Sequence, residues 1–382
     1  MIKVKGPWLS DPGTQQILTL LEEAGFKAYV VGGCVRNALL GQPVRDVDIA
    51  TNARPEQGTA VLSAAGIKVV PTGIDHGTIT AVANGIGHEI TTFRRDVESF
   101  GRRAVVSFSD NIEEDARRRD FTINALYADR GGNVLDPIGG LADLRARRIR
   151  FIDDAGKRIR EDYLRALRFF RFHAWYGDPE AGMDRQALAA ISENLDGLET
   201  LSRERVGSEI RRLLEAPNPA PAVAAMARCG ALARVLPGAD DRFLAALIHN
   251  EGDIPPQAIR RLAILGGEDV ARRLRLSRRD TRRLEKLREG MASNEPVAAL
   301  AYRLGKDEAV DIELLRATLA GRPPAEDMAQ QAARGAAAVF PLRARDLTPA
   351  YNGPELGKRL KELERRWIDS GFTLTREELL SA

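Results

Sequence analysis

Apolar positions in the first 150 residues come in short bursts whose spacing changes every few residues. The run "AYVVGG" (28–33) is continuously apolar until two glycines end it, and it predicts a buried strand entering a turn. "VRNALLG" (35–41) spaces its apolar residues along one helical face and stops at Gly41. "VRDVDIA" (44–50) alternates, predicting a second strand in which Val47 and Ile49 face a core and Asp46 and Asp48 share the other face. "GTITAVANGIGHEITTFR" (77–94) predicts a hairpin turning at Asn84-Gly85. From about residue 155 the period becomes helical, with apolar residues three and four apart and few β-branched ones. Breaks at "EAPNPAPA" (215–222) and "AGRPPAED" (320–327) predict turns between helices or subdomain boundaries. There is no clear repeat and no low-complexity tail. The expected fold class is α+β, a head with a small mixed β-sheet and helices followed by an elongated all-helical body.

A length of 382 residues leaves room for two or three domains, each with its own core. The composition, 44% hydrophobic and 29% charged, is that of an ordinary soluble protein. No run of 18 apolar residues occurs, and "MIKVKGPWLSDPG" lacks the apolar centre of a signal peptide, so a cytoplasmic location without membrane contact is expected. Cys34 and Cys229 show no CxxC and no metal-ligand spacing, which points to small buried thiols in a reducing compartment. The net charge of +3 says little, but nearly all the cations are arginine, the residue suited to bidentate contacts with phosphates and base edges. Residues 272–288 hold nine Lys/Arg against two Asp/Glu. Leu274, Leu276, Leu284 and Leu287 leave a basic face that includes Arg272, Arg273, Arg278, Arg279, Arg282 and Arg283. Such a face is either a solvated helix surface or a binding surface for a nucleic-acid backbone.

The stretch 28–51 carries the chemistry. Two carboxylates on one strand face, Asp46 and Asp48, repel each other unless a cation lies between them, and hard oxygen donors of this kind suit Mg²⁺. Gly32-Gly33 at a strand-to-helix turn lets a phosphate approach backbone N–H groups, and Arg36 can reach the same anion. Cradle and metal pair lie 13 residues apart on adjacent elements, the layout of a site that transfers a nucleotidyl group with two metal ions.

"GGCVRNALLG…RDVDIAT" resembles the nucleotidyltransferase signature of the class II tRNA CCA-adding enzymes and bacterial poly(A) polymerases. Four more stretches match that family in order: "RRRDFTINALYAD" (117–129), "DPIGGLADLRARRIRFI" (136–152), "REDYLRALRFFRFHA" (160–174) and "LSRERVGSEIRRLL" (201–214). The C-terminal "GPELGKRLKELERRWIDSGFTLTREELL" resembles the family's tail, while the likeness between about 220 and 340 is faint. The resemblance implies a nucleotidyltransferase head (1–150), a helical neck that reads the nucleotide base (151–215), an RNA-binding body (216–320) and a tRNA-binding tail (321–382). It implies template-independent addition of CCA to tRNA from CTP and ATP, with two Mg²⁺ ions and no obligate protein partner. Asp46 and Asp48 would be catalytic and hold the metal. Gly32, Gly33, Arg36, Arg119, Asp120, Asn124, Asp162, Arg165, Arg168 and Arg171 would bind the nucleotide, with Arg119 and Asp120 near ribose and phosphates. Glu89, read as ending a strand, is a candidate third acidic group, the alternative being an ion pair. Asp115, four residues before Arg119, reads as its helical ion-pair partner.

The residues themselves support the base-reading role. On one helix, Asp162, Arg165 and Arg168 would recur at three-residue steps and lie near one face. A carboxylate accepts from an exocyclic amino group and a guanidinium donates to the neighbouring ring nitrogen. Cytosine and adenine present that pattern and uracil and guanine the reverse, so an Asp/Arg pair selects C and A without a template. Asn37 departs from the aspartate usual after the motif arginine, a change expected to be tolerated. His76, His88, His173 and His249 include no His-Asp dipeptide, which speaks against an appended phosphohydrolase domain. "GRRAVVSF" (101–108) echoes a poly(A) polymerase signature but falls where CCA-adding enzymes have a mobile loop. Poly(A) polymerase, CC-only or A-only enzymes, and a non-catalytic RNA-binding relative are the competing expectations. A Rossmann oxidoreductase fails for want of a GxGxxG after the first strand.

Overall fold

The computed structural model describes residues 2–100, 103–348 and 350–381. Gly101 and Arg102, which open the "GRRAVVSF" stretch, lie outside the described residues. The chain forms two compact units, Met1–Val235 and Leu236–Ala382. Among the described residues nine strands run in chain order: β1 (Ala28–Val31), β2 (Asp48–Thr51), β3 (Lys68–Gly73), β4 (Thr78–Ala83), β5 (Ile86–Thr92), β6 (Arg94–Phe100), β7 (Arg103–Phe108), β8 (Tyr127–Ala128) and β9 (Val134–Leu135). Seven of them make one mixed sheet in the order β3-β4-β5-β2-β1-β8-β9, and β6 and β7 pair as a separate ribbon. Within the sheet β2 and β5 are parallel and all other neighbours antiparallel.

The hairpin forms where the alternation predicts it. β4 and β5 are joined by Asn84 (φ 51°) and Gly85 (φ 75°), both left-handed, as a two-residue turn matched to strand twist requires. The helix after β1 spans Gly33–Leu39 and ends ahead of Gly41 at φ 67°. The second strand is shorter than its alternation suggests. It begins at Asp48, because its neighbour β1 ends at Val31, opposite Asp48, where the chain turns away at Gly32. Asp46 therefore lies just beyond the sheet, although Val47 and Ile49 are buried and Asp46 and Asp48 exposed, as alternation requires. From residue 155 onward every described helix or strand element is helical. The two breaks fall between helices Arg203–Leu214 and Ala220–Arg228 and between Lys306–Leu319 and Met328–Ala337.

In the first unit, Val31, Ala50, Phe93, Ala116, Tyr127 and Ile152 form a core under the sheet. Phe121 sits 5.0 Å from both Phe151 and Phe172, and Phe151 stacks on Phe169 at 5.7 Å. These rings join the "RRRDFTIN" turn to helix Leu164–Tyr176, so the strand-bearing part and the first long helix share one core. Gly140 lies against the same turn, where a Cβ would meet the Thr122 carbonyl oxygen at 2.2 Å.

The second unit has an aromatic core around Trp367 and, separately, a buried ionic network. Arg260 donates to Glu251 (2.8 Å) and Asp311 (2.7 Å), and Arg261 to Glu251 (2.6 Å); all four are at most 5% exposed. Four charges out of water hold a fold only while each is paired. Glu251→Gln should therefore destabilise this unit by about 3–5 kcal/mol, since the amide removes the carboxylate that Arg260 and Arg261 share and leaves Arg260 with Asp311. Urea unfolding followed by Trp367 fluorescence, in a background with Trp8 and Trp175 replaced by Phe, measures this, and a change below about 1 kcal/mol would mean that water reaches the network.

Candidate active site

Asp48, the first residue of β2, is opposite Glu89 in the parallel register and opposite Val31 in the antiparallel one. Glu89 is therefore in the middle of β5, an interior strand, rather than at its end, and its side chain is exposed on the sheet face it shares with Asp48. Asp48 touches solvent yet is partly desolvated by the surrounding protein; that desolvation, then the charges of Glu89 and Asp46, push its carboxyl up from the ordinary range, while Arg119 pulls it down. Three hard oxygen donors thus crowd one edge and repel each other, an arrangement a divalent cation relieves. Among the described residues no three His, Cys, Asp or Glu side chains already stand together at ligand spacing. Beneath this edge Cys34 is buried, and burial with the nearby Asp48 charge pushes its thiol up to about 12, so it is an inert filler.

The glycine turn borders the acidic edge. Gly32 has φ 76° and ψ −117°, a conformation open only to glycine, and a Cβ there would press on Arg119 Nη1 at 3.3 Å. Arg119 donates to Tyr127 Oη (3.2 Å) and Asp115 Oδ2 (3.2 Å), and Asp115 also takes Arg118 Nε (2.7 Å) and the Tyr127 hydroxyl (2.7 Å). Burial pushes Asp115 up, but Arg118 and Arg119 outweigh it and hold the carboxyl below its usual range. The expected Asp115–Arg119 pair is present, buried and extended by a tyrosine that sequence spacing did not reveal.

Arg36 is buried and reaches the other side of the turn. It donates to Asn124 Oδ1, to Asn37 Oδ1 from Nε (3.1 Å) and Nη2 (2.9 Å), and to the Tyr176 hydroxyl (2.9 Å). Its guanidinium lies over the Tyr176 ring, 4.0 Å from the centroid. Asn124 in turn donates to Asp120 Oδ1 (2.8 Å), and Asp120 Oδ2 accepts from Arg168 Nε (2.7 Å). Burial would raise the Asp120 carboxyl, but Arg168, Asn124 and the Phe121 N–H hold it well below the carboxylate range. Arg171 donates from Nε to Glu209 (2.5 Å). Arg36, Asp120, Asn124, Arg168 and Arg171 thus form one connected group.

Asp162 and Arg165 stand differently from expectation. Asp162 is not helical: it is extended (φ −153°, ψ 105°) between helices Ala155–Glu161 and Leu164–Tyr176. Its Oδ1 accepts from the Leu164 N–H (3.1 Å), a local bond that competes with helix continuation. Its Oδ2 takes Arg205 at 2.5 Å. Arg165, on the helix proper, donates to Glu161 (2.6 Å) and to the Arg158 and Arg118 carbonyls.

In the second unit, helix Arg278–Ala292 buries Leu284, Leu287 and Gly290. Arg278, Arg279 and Arg282 are exposed and carry no ion pair among the described residues. Arg272 is exposed but paired with Asp269 (2.5 Å), and Arg273 is half-buried. Arg283 turns inward onto Asp311 (2.7 Å), joining the buried network.

Residues 28–150 match the family model described as the poly A polymerase head domain, and residues 182–243 the one described as a probable RNA and SrmB-binding site of polymerase A. A CCA-adding enzyme of Streptococcus pyogenes (serotype M2) is 42% identical over 217 residues, 56% of this chain and 52% of that protein. The chain therefore spans about half the length of the curated relatives it matches. The crystal structure of Bacillus stearothermophilus CCA-adding enzyme in complex with CTP superposes with a TM-score of 0.73 at 28% identity, over 96% of this chain and 94% of that one. Thermotoga maritima CCA-adding enzyme has the same fold, with a TM-score of 0.70 at 19% identity over 100% of this chain and 98% of that one. Over these stretches the chain is similar to the class II CCA-adding enzymes and bacterial poly(A) polymerases.

Against that family's motif, Asn37 replaces the usual aspartate and keeps its neighbours bonded, since its carbonyl oxygen takes Arg36 and its amide donates to the Pro43 carbonyl (3.0 Å). Phe172, Tyr176, Arg205 and Glu209 touch the motif side chains but were not singled out from sequence. The four-residue steps from Arg168 to Phe172 to Tyr176 carry the signal that finds two of them.

The two carboxylates predict opposite effects on stability. Asp48 titrates above the ordinary carboxylate value, so its charge weakens the metal-free fold once pH rises through that window. Asp120 titrates below it, so its stabilisation is present above the ordinary value and is lost as pH falls through the depressed one. In chelator at neutral pH, Asp48→Asn should raise Tm and Asp120→Asn should lower it, and both differences should shrink in acid. Thermal scans across pH decide this; shifts of the same sign would contradict the assignment.

Proposed function

We propose that the chain adds CCA to the 3′ end of tRNA without a template, using CTP and ATP and releasing pyrophosphate. One observation carries the reading: an edge of crowded carboxylates (Asp46, Asp48, Glu89) lies beside a glycine turn backed by Arg36, Arg119, Arg168 and Arg171. The relatives named above support it, being CCA-adding enzymes, one of them in complex with CTP. The head (1–150), neck (151–215), body (216–320) and tail (321–382) divide the work, in the cytoplasm.

Asp46 and Asp48 hold divalent ions, which we take to be two Mg²⁺. When bound, these supply charge neutralisation at the α-phosphate and a more acidic 3′-hydroxyl. The residues of the chain do the rest. Gly32 and Gly33 present bare backbone to the phosphates, and Arg36, Arg168 and Arg171 draw the β- and γ-phosphates away from the α-phosphorus. Arg119 stands between the two groups, close enough to Asp48 to lower its carboxyl. Asp120 and Asn124 serve ribose and turn. Asp162, anchored by Arg205 and the Leu164 N–H, keeps lone pairs for an exocyclic amino group, and Arg165 keeps an N–H for the adjacent ring nitrogen. The bond from the 3′-oxygen to the α-phosphorus forms as the bond to pyrophosphate breaks. Arg278, Arg279 and Arg282, with Arg272 and Arg273 at the rim, grip tRNA phosphates; Arg283 fixes the helix that carries them.

Extension of a tRNA transcript lacking its 3′ end, resolved nucleotide by nucleotide, tests this. Two additions with CTP and a third only once ATP is present are expected. A long ladder with ATP alone would make the chain a poly(A) polymerase, and no extension would leave an RNA-binding relative. Asp46→Ala or Asp48→Ala should abolish incorporation while tRNA binding persists, and Asp162→Ala should blur the choice among nucleotides before turnover is lost. Neutralising Arg278, Arg279 and Arg282 should flatten the salt dependence of tRNA binding by about 0.7–0.9 in log–log slope for each phosphate no longer neutralised. An unchanged slope would mean that these side chains face only water.

A further inference from the structure

Phe172 is 4% exposed, on helix Leu164–Tyr176, and three guanidiniums surround its ring. Their central carbons lie 5.2 Å (Arg36), 5.2 Å (Arg168) and 4.5 Å (Arg171) from the ring centroid. The ring is fixed by tilted contacts with Phe121 at 5.0 Å and Tyr176 at 5.5 Å. Counter-charge is incomplete. Arg168 has Asp120 and Arg171 has Glu209, but the acceptors bonded to Arg36 are all neutral: Asn37, Asn124 and Tyr176. Burial lowers the proton affinity of Arg36 and Arg171, and repulsion from neighbouring arginines lowers it further.

Three like charges gathered in one corner, two of them buried and Arg168 partly exposed, repel one another, and their hydrogen-bond partners compensate this only in part. An aliphatic side chain of the same size offers no attraction, whereas an aromatic ring presents a negative face to each cation. We propose that Phe172 is a positioning residue for the nucleotide triphosphate, its ring holding Arg36, Arg168 and Arg171 in a convergent array before the polyanion arrives. The proposal rests on the reading that these arginines bind the phosphates. The free energy of gathering them is then met during folding instead of being charged against binding, which is preorganisation in its electrostatic form. Without the ring's attraction the free protein relaxes, its arginines spread, and the ligand must draw them back. That penalty grows with the number of arginines engaged, and so with the number of phosphates on the ligand.

The test replaces Phe172 in the full chain by mono-, di- and trifluorinated phenylalanine, which keep the shape of the ring and progressively empty its face. Affinities for ATP and AMP are measured by calorimetry beside the unsubstituted protein, with Tm recorded for each variant. The expected result is a stepwise rise in the Kd for ATP, on the order of tenfold at trifluorination, with a clearly smaller rise for AMP. Flat ATP affinity across the series, with unsubstituted binding intact, would overturn the proposal; so would equal losses for ATP and AMP, the mark of a ring that serves packing alone. Absence of ATP binding by the unsubstituted protein would instead overturn the triphosphate reading, and this proposal with it.

Discussion

The buried carboxylate of Asp120 is the contact on which the site depends. It takes Arg168 on one oxygen and the Asn124 amide on the other, and Asn124 passes the constraint to Arg36. A single negative charge, well desolvated, thereby fixes cations contributed by helices Gly33–Leu39 and Leu164–Tyr176. The low local dielectric strengthens each of these bonds and makes any unpaired member costly, so the group is held as a unit. Phe121, the next residue along, anchors the same turn in the aromatic core, so packing and charge act on one short segment.

The site has two electrostatic halves. One edge is acidic and under self-repulsion, through Asp46, Asp48 and Glu89; the adjoining corner is cationic and only partly compensated, through Arg36, Arg168 and Arg171. Neither half is at its electrostatic optimum in the free protein. On the proposed reading, metal ions and a polyphosphate together would relieve both, turning stability given up in the free fold into binding energy for a specific pair of ligands.

Much of this was legible in the sequence because the decisive signals are local. The apolar run into Gly32, the Asn84-Gly85 hairpin and the switch to helical spacing near residue 155 depend on neighbours within a few positions, and each appears where its period places it. The same local rules misjudge ends. β2 starts at Asp48 because β1 supplies no partner earlier, a fact about another strand, and Asp162 leaves the helix because its own side chain bonds the Leu164 N–H. Burial of charge was least legible. Arg283 looks like Arg282 in sequence but faces Asp311, 28 residues away, and nothing in the local pattern says so. The rings that serve the arginines were hidden for the converse reason, since phenylalanine on an amphipathic helix reads as core whether or not cations surround it.

The parallel pairing of β2 with β5 has a consequence for how the protein comes into being. Asp48 and Glu89 are brought side by side only after the chain has run out through the Pro55–Ala64 helix and back through the β3, β4 and β5 strands. Nearby hairpins such as β4–β5 close early, because their loops are short; a parallel pair with so long a connection closes late. The acidic pair therefore forms only once this longer connection has closed, after the β4–β5 hairpin, and the step brings like charges together. A chain whose β2 and β5 have not yet paired keeps Glu89 apart from Asp48 and so lacks this cluster of three carboxylates.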